Sequence, residues 1–252
     1  TTGLSGVDYR ISDPYADPQE GVLGTERLLR LPECFLSFGG FPAVAVDPQP
    51  ACLRNGHVTF GSFNNLMKLT APAVRLWADI LKRVEGSRLV VMAVGAGSRT
   101  VHARLSAEFA GHGVDPERLV LKESLSREAY FDFHNSIDIM LDSFPYNGGT
   151  VTCGALWMGV PVVTRVGPAH RQRVSYSLLM NVGLNETIAW DDRRYVEIAV
   201  QLAGDAAWLA RLRRDLPAKL RASALCETTR FSRHLEAAYR KAWEGRVANG
   251  KR

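Results

Sequence analysis

From Gly56 onward the chain repeats one pattern: an uninterrupted apolar run, a loop, then a stretch with apolar residues three and four positions apart. Uninterrupted apolar runs suit strands buried on both faces, and amphipathic helices between them supply the cover, so the pattern calls for a parallel sheet. Strands are expected at Val58–Ser62, Arg88–Val94, Arg118–Leu121, Ile137–Leu141 and Gly159–Thr164. The intervening helices fall at Ala71–Val84, Thr100–His112, Ser126–Asn135, Thr150–Met158 and Gln172–Val182. In the first of them Val74, Trp77, Ile80 and Leu81 share a face, and Pro72 fits the first turn. Right-handed crossovers then make this an α/β, Rossmann-like, doubly wound parallel sheet. Three more helices are expected at Arg193–Leu202, Ala206–Leu220 and Thr229–Glu244, with Asp191-Asp192 as a helix start.

The first 55 residues read differently. They are rich in Pro, Gly and Asp and offer two strand-like runs, Val7–Ile11 and Cys34–Phe38, separated by turn formers from Ser12 to Glu20. Such a segment buries too little to stand alone and is expected to be the trailing part of a domain, with a linker around Asp47–Pro50. The start at Thr1-Thr2-Gly3, without Met or a signal peptide, is expected to be that of a piece of a longer chain.

With 46% apolar and 23% charged residues the composition is that of a globular chain, and no apolar run is long enough to span a bilayer. Cys34, Cys52, Cys153 and Cys226 show no zinc-type spacing and read as reduced, buried thiols of a cytoplasmic protein. The net charge of +5 is spread along the chain, which suits a phosphorylated small ligand better than nucleic acid. A nucleophile elbow, a Walker loop, an HExxH motif and an Asp-x-Asp pair are all missing, and the six histidines are isolated.

Ligands of doubly wound sheets bind beyond the carboxyl ends of the strands. Three loops there carry more polar and glycine content than a turn needs. In Asp142-Ser143-Phe144-Pro145-Tyr146-Asn147-Gly148-Gly149-Thr150, two glycines let backbone approach a ligand, and Thr150 is the expected cap of a helix whose N–H groups would face phosphate. In Gly61-Ser62-Phe63-Asn64-Asn65-Leu66-Met67-Lys68, Lys68 could place a point charge on a phosphate oxygen and Asn65 could bond a base or a phosphate. In Glu123-Ser124-Leu125-Ser126-Arg127, Ser126 would cap a helix carrying Arg127 and Tyr130. A fourth loop, Gly95-Ala96-Gly97-Ser98, begins like a dinucleotide fingerprint but lacks the third glycine, and reads as a turn capped by Ser98.

With these loops in place the sequence resembles the C-terminal catalytic half of O-GlcNAc transferase-like proteins, including bacterial members with tetratricopeptide repeats and plant SPINDLY-type proteins. The resemblance is carried by Gly61–Lys68, Asp142–Thr150 and Ala155–Thr164, with Thr1–Leu4, Val7–Asp13 and Arg27–Pro32 resembling the end of the family's N-terminal lobe and the link after it. It implies a GT-B glycosyltransferase in which residues 1–50 end the N-terminal lobe and residues 51–252 form the nucleotide-sugar-binding lobe with closing helices. It further implies inverting transfer of N-acetylglucosamine from UDP-GlcNAc to protein Ser/Thr, without a metal or other cofactor. Partners implied are the protein acceptor and the rest of a longer chain, namely the N-terminal lobe and repeat array; no nucleic acid and no membrane is expected.

By the same resemblance Lys68 contacts the diphosphate, Asn65 the nucleotide, and the loop of Gly148, Gly149, Thr150 and Val151 wraps the phosphates, with Leu125, Arg127 and Tyr130 completing the donor site. Two positions depart from the family: Tyr130 stands where a histidine is usual, and Gly154 where an acidic residue would hold the ribose. The final helix, with Phe231, Leu235, Ala238 and Tyr239 on its apolar face, is expected to lie exposed. Two alternatives stay open: a non-catalytic nucleotide-sugar or protein-binding module, and a protein O-fucosyltransferase of SPINDLY type.

Overall fold

A computed structural model describes residues 2–22, 24–41 and 44–248. Thr1 of the N-terminal motif lies outside the described residues. Six strands form one parallel sheet: β3 (Thr59–Ser62), β4 (Arg88–Met92), β5 (Leu119–Lys122), β6 (Ile139–Leu141), β7 (Val162–Arg165) and β8 (Ile188–Ala189), in the order β5-β4-β3-β6-β7-β8. The chain therefore winds outward from β3 to β5, returns to pair β6 with β3, and winds outward again. The five expected strands are present with their ends shifted, β5 and β7 running past the expected ends to Lys122 and Arg165, and β8 is an addition too short to leave a sequence signal.

The helices cover this sheet where the apolar spacing placed them: α2 (Ala71–Arg83), α3 (Arg99–Gly111), α4 (Arg127–Phe133), α5 (Thr150–Trp157), α6 (Val174–Val182) and α7 (Asp192–Ala203). In α2 the Thr70 hydroxyl accepts from the Ala73 N–H, and Val74, Trp77, Ile80 and Leu81 are all buried. Asp191 caps α7 through the Arg194 N–H at 2.7 Å. The Trp77 indole donates to the Tyr195 hydroxyl at 3.0 Å, which donates to the Asp142 carbonyl at 2.9 Å, so a buried polar chain ties both helices to the end of β6.

Two later helices close the structure, α8 (Ala206–Ala222) and α9 (Thr228–Ala248). Pro217 lies inside α8 and cannot donate to the carbonyl of Arg213. Gly159 packs against that same carbonyl, where a Cβ would collide. The buried Arg213 guanidinium donates to the carbonyls of Asp47 and Ile137, both at 2.7 Å, and of His134 at 3.1 Å, fastening the expected linker to the sheet. On α9, Phe231, Leu235 and Ala238 are half-buried rather than bare; the exposed stripe is Tyr239, Trp243 and Val247. Among the described residues no helix is long and apolar enough to cross a membrane.

The N-terminal segment contributes a two-stranded parallel sheet, β1 (Tyr9–Ser12) with β2 (Arg27–Arg30), and a one-turn helix α1 (Cys52–Asn55) lies beyond it. The strand expected at Cys34–Phe38 is absent. Its backbone is spent on other partners: the Phe35 N–H bonds the Asp13 carboxylate at 2.9 Å, and the Phe38 N–H bonds the Leu225 carbonyl at 2.7 Å. Cys34 and Cys153 are buried thiols as expected, whereas Cys52 and Cys226 are only half-buried.

A polar seam joins this segment to α6. Asp17 accepts both Arg10 guanidinium nitrogens at 2.8–2.9 Å, the Ser12 hydroxyl at 2.6 Å and the His170 imidazole at 2.9 Å. Burial alone would raise its pKa, but the bonds from His170, Arg10 and Ser12 outweigh it and hold the carboxyl well below the ordinary value.

Two predictions follow from these contacts. Because the folded pKa of Asp17 is depressed, its contribution is complete above the unfolded value of about 4 and is lost as pH falls below it. The stability gap between the parent chain and Asp17→Asn, measured by urea unfolding, should therefore stay constant from pH 7 to about pH 5 and narrow as the pH is lowered below about 4. Tyr195→Phe strands the Trp77 N–H and the Asp142 carbonyl without partners, and should lower the unfolding free energy by about 2–3 kcal/mol at unchanged urea m-value.

Candidate functional site

Because β3 and β6 are neighbours whose chains leave in opposite directions, their following loops part at the carboxyl edge and open the crevice in which doubly wound sheets hold ligands. The loop after β3 runs to Lys68 and the loop after β6 runs to Gly149. They meet directly: the Lys68 ammonium donates to the Asn147 carbonyl at 2.7 Å and lies 4.4 Å from the centre of the Tyr146 ring. Half-burial pulls the Lys68 pKa down, and the nearby Asp142 carboxylate works against that.

The shape of the second loop is set from below. Asp142 is buried and accepts the Gly148 N–H and the Thr164 hydroxyl, both at 2.7 Å. Burial raises its pKa against these hydrogen bonds and the charge of Lys68. The Gly148 carbonyl accepts from Ser175 at 3.2 Å, so both polar groups of Gly148 face inward and its N–H is spent before any ligand arrives. A Cβ at Gly148 would sit 2.5 Å from the Thr152 hydroxyl, so only glycine fits that depth. Thr150 is the first residue of α5 rather than its cap: Gly149 takes the cap position with φ −134° and ψ −88°, and no side chain caps this end. Among the described residues the N–H groups of Gly149, Thr150 and Val151 make no hydrogen bond, which leaves them open beside the Lys68–Asn147 contact.

On the other side of the Lys68 loop lies a cleft of about 230 Å³ lined by Phe63, Asn65, Met92, Ala93, Val94, Ser124, Leu125 and Tyr130. Asn65, Leu125 and Tyr130 are thus brought together as expected. The Asn65 carboxamide oxygen caps the short turn that carries Lys68, accepting the Met67 N–H at 2.9 Å. Tyr130 stacks edge-on against Phe63, and burial pushes its hydroxyl pKa up to about 12, so it stays protonated. Arg127 is exposed at the start of α4 and reaches over the Phe41 ring at 5.8 Å, outside the cleft lining. Val151 is half-buried behind the loop, against Asn64 and Asp142. A Cβ at Gly154 would stand 3.8 Å from the Tyr130 hydroxyl and 3.6 Å from Phe131.

One feature escaped the sequence. Ser98 does not cap α3 through its side chain; instead the Glu123 carboxylate reaches across from the end of β5 and takes the Gly95 N–H at 2.9 Å and the Gly97 N–H at 3.3 Å. His134 is a core residue whose ring donates to the Tyr130 carbonyl at 2.9 Å, its pKa held down to about 4 by burial. Among the described residues no cluster of three or more His, Cys, Asp or Glu could hold a metal ion.

The model of glycosyl transferase family 41 matches residues 46–235. A Petunia hybrida protein named probable UDP-N-acetylglucosamine–peptide N-acetylglucosaminyltransferase SPINDLY is 43% identical over 249 residues, covering 96% of this chain and 26% of the relative. The correspondingly named SEC protein of Arabidopsis thaliana is 28% identical over 253 residues, again 96% of this chain and 26% of the relative. Among solved structures, a mutant O-GlcNAc transferase from Thermobaculum terrenum superposes with a TM-score of 0.88 at 34% identity, covering 96% of this chain and 46% of that one. A sucrose-phosphate synthase from Thermosynechococcus elongatus, with a TM-score of 0.58 at 14% identity over 94% of this chain and 59% of its own, shares the fold. The chain spans about a quarter of the length of the curated relatives it matches. By the family match and these relatives, the chain belongs to glycosyl transferase family 41.

Proposed function

We propose that this chain is the donor-binding half of a protein O-GlcNAc transferase, taking UDP-GlcNAc as donor and delivering N-acetylglucosamine, with inversion, to Ser or Thr hydroxyls of a protein acceptor. The observation that carries the reading is the meeting of Lys68 with the loop before α5, which sets one ammonium group beside the open N–H groups of Gly149, Thr150 and Val151. When the acceptor oxygen attacks the anomeric carbon, the bond from that carbon to the β-phosphate oxygen breaks and its electron pair stays on UDP. Charge therefore develops where the ammonium and the helix N-terminus can meet it, and no cation is needed for that task. The adjoining cleft takes the nucleoside: Tyr130, backed by the buried Phe63, offers an aromatic surface for a base, while Asn65 and the backbone near Leu125 offer hydrogen bonds. Arg127, at the rim, adds positive charge for the approaching diphosphate.

Residues 1–50 complete, in this reading, the end of an N-terminal lobe, and the acceptor binds between that lobe and the carboxyl edge of the six-stranded sheet. The names of the SPINDLY and SEC relatives support N-acetylglucosamine as the sugar. Tyr130 and Gly154, the two departures from the family pattern, favour a second reading: a module that binds a nucleotide sugar without turning it over.

Isothermal titration of the chain with UDP, UDP-GlcNAc and GDP-fucose tests the proposal. UDP should bind, EDTA should leave its affinity unchanged, and Lys68→Ala should weaken it by about 1–3 kcal/mol, as for loss of a charge-assisted hydrogen bond. A folded chain that ignores all three ligands would overturn the reading, and tighter binding of GDP-fucose than of UDP-GlcNAc would move the donor to a guanine nucleotide.

A further inference from the structure

Two backbone amide sites follow strands at the carboxyl edge of the sheet. One is the start of α5, whose first N–H groups are open. The other is the loop Ala93–Ser98 before α3, where the N–H groups of Gly95 and Gly97 converge as they would on an anion. The second site is already filled. One Glu123 carboxylate oxygen accepts from Gly95 at 2.9 Å, and the other accepts from Gly95 at 3.1 Å and Gly97 at 3.3 Å; the Ser124 N–H adds a bond at 3.2 Å. The residues that these bonds join are the walls of the cleft: Ala93 and Val94 precede Gly95 on one side, and Ser124 and Leu125 follow Glu123 on the other.

β4 and β5 end just before this point. Their ladder pairs Met92 with Lys122, and the Ala93 N–H takes the Lys122 carbonyl at 3.2 Å. Beyond it the two strands' continuations are joined through the Glu123 side chain. Val94 is 77% exposed on the cleft, so its own burial does little to hold it in place, whereas Ala93 and Ala96 on either side of it are buried. The carboxylate is itself solvent-exposed, yet its hydrogen bonds to Gly95, Ser124 and Gly97 pull its pKa below the ordinary value, so it remains an anion at neutral pH.

We propose that Glu123 is a positioning residue for nucleotide binding: as the built-in anion of the Gly95–Gly97 amides it fixes both walls of the nucleoside cleft and closes that site to phosphate, which leaves the start of α5 to take the diphosphate. An anion tethered through its own backbone competes at high effective concentration, so a diphosphate free in solution does not displace it. The inference rests on the proposed donor site, since it assigns Glu123 a part in that site's geometry.

The test is titration of the parent chain, Glu123→Gln and Glu123→Ala with UDP and with uridine, with and without added sodium acetate, alongside thermal unfolding and the amide resonances of Gly95 and Gly97. Glu123→Ala should weaken UDP and uridine alike by about fivefold, as expected for losing charge-assisted hydrogen bonds that are partly screened by water. Glu123→Gln, which keeps one acceptor oxygen, should fall between. Acetate should restore much of the loss in Glu123→Ala, shift its Gly95 and Gly97 amide resonances toward the parent positions, and leave the parent unaffected. Equal affinity of Glu123→Ala and the parent for both ligands would overturn the proposal, and so would a loss that acetate fails to repair while the unfolding temperature is unchanged. Weakened binding of UDP with uridine unaffected would overturn the role assigned to the cleft walls. Failure of the parent chain to bind UDP is a different result: it removes the donor site itself, and the role of Glu123 falls with it.

Discussion

The buried carboxylate of Asp142 governs the arrangement on which the proposed site depends. It sits where β6 ends, takes the Gly148 N–H from the loop above and the Thr164 hydroxyl from the neighbouring strand, and its own carbonyl accepts from Tyr195. A charged group at that depth is costly unless it is hydrogen-bonded and faced by an opposite charge. Hydrogen bonds supply most of this here, and the more distant Lys68 ammonium adds a favourable charge. The carboxylate thus explains why the loop bends inward at Gly148, while Lys68 is held to the loop by its bond to the Asn147 carbonyl. The N–H groups that remain open, from Gly149 onward, are the ones beyond the reach of this internal bonding.

That division of labour clarifies which parts of the site could be read from residues alone. Glycines, a lysine and two amides at a carboxyl edge suggest an anion site; Lys68 meets the loop before α5 at Asn147, while Asn65, Leu125 and Tyr130 line the separate cleft on the other side of the Lys68 loop. What residue types could not convey is which backbone groups are already spent. Gly148 and Gly149 look alike in sequence, yet one is held inward by Asp142 and Ser175 and the other is open. Thr150 is an ordinary cap residue by type, but the tight turn after Gly148 leaves the cap position to Gly149. Ser98 fails as a cap for a related reason: a carboxylate 25 positions further along the chain bonds the Gly95 and Gly97 amides of that loop, and sequence spacing carries no trace of such a long-range bond.

The fold was legible to a greater degree, and for a physical reason. Strand and helix periods within the doubly wound part are set by burial on the sheet, a local and repetitive demand. The N-terminal segment lacks that demand. Cys34–Phe38 has the apolar content of a strand, but its N–H groups at Phe35 and Phe38 answer to Asp13 and to the Leu225 carbonyl. Arg27–Arg30 forms the strand instead, paired with Tyr9–Ser12, because the intervening loop is organised by Arg30, whose guanidinium donates to the carbonyls of Asp13, Asp17 and Pro18. Polar contacts fix that region, and they leave no periodic signature.

Tyr130 and Gly154, the two positions at which the sequence leaves its family's pattern, are 24 residues apart in the chain but adjacent in space. A side chain at Gly154 would begin 3.8 Å from the Tyr130 hydroxyl and be hemmed by Phe131 and by Phe41 from the linker. Phe41 in turn packs against Phe131 at a tilt, with ring centres 4.2 Å apart, and meets Trp157 edge-on. An acidic side chain at position 154 would have to place its carboxylate among these rings, where desolvation opposes it. The tyrosine fills that volume with a ring and one hydroxyl. The two positions are therefore neighbours in packing, and Tyr130 presents a neutral hydroxyl donor in the lining of the cleft.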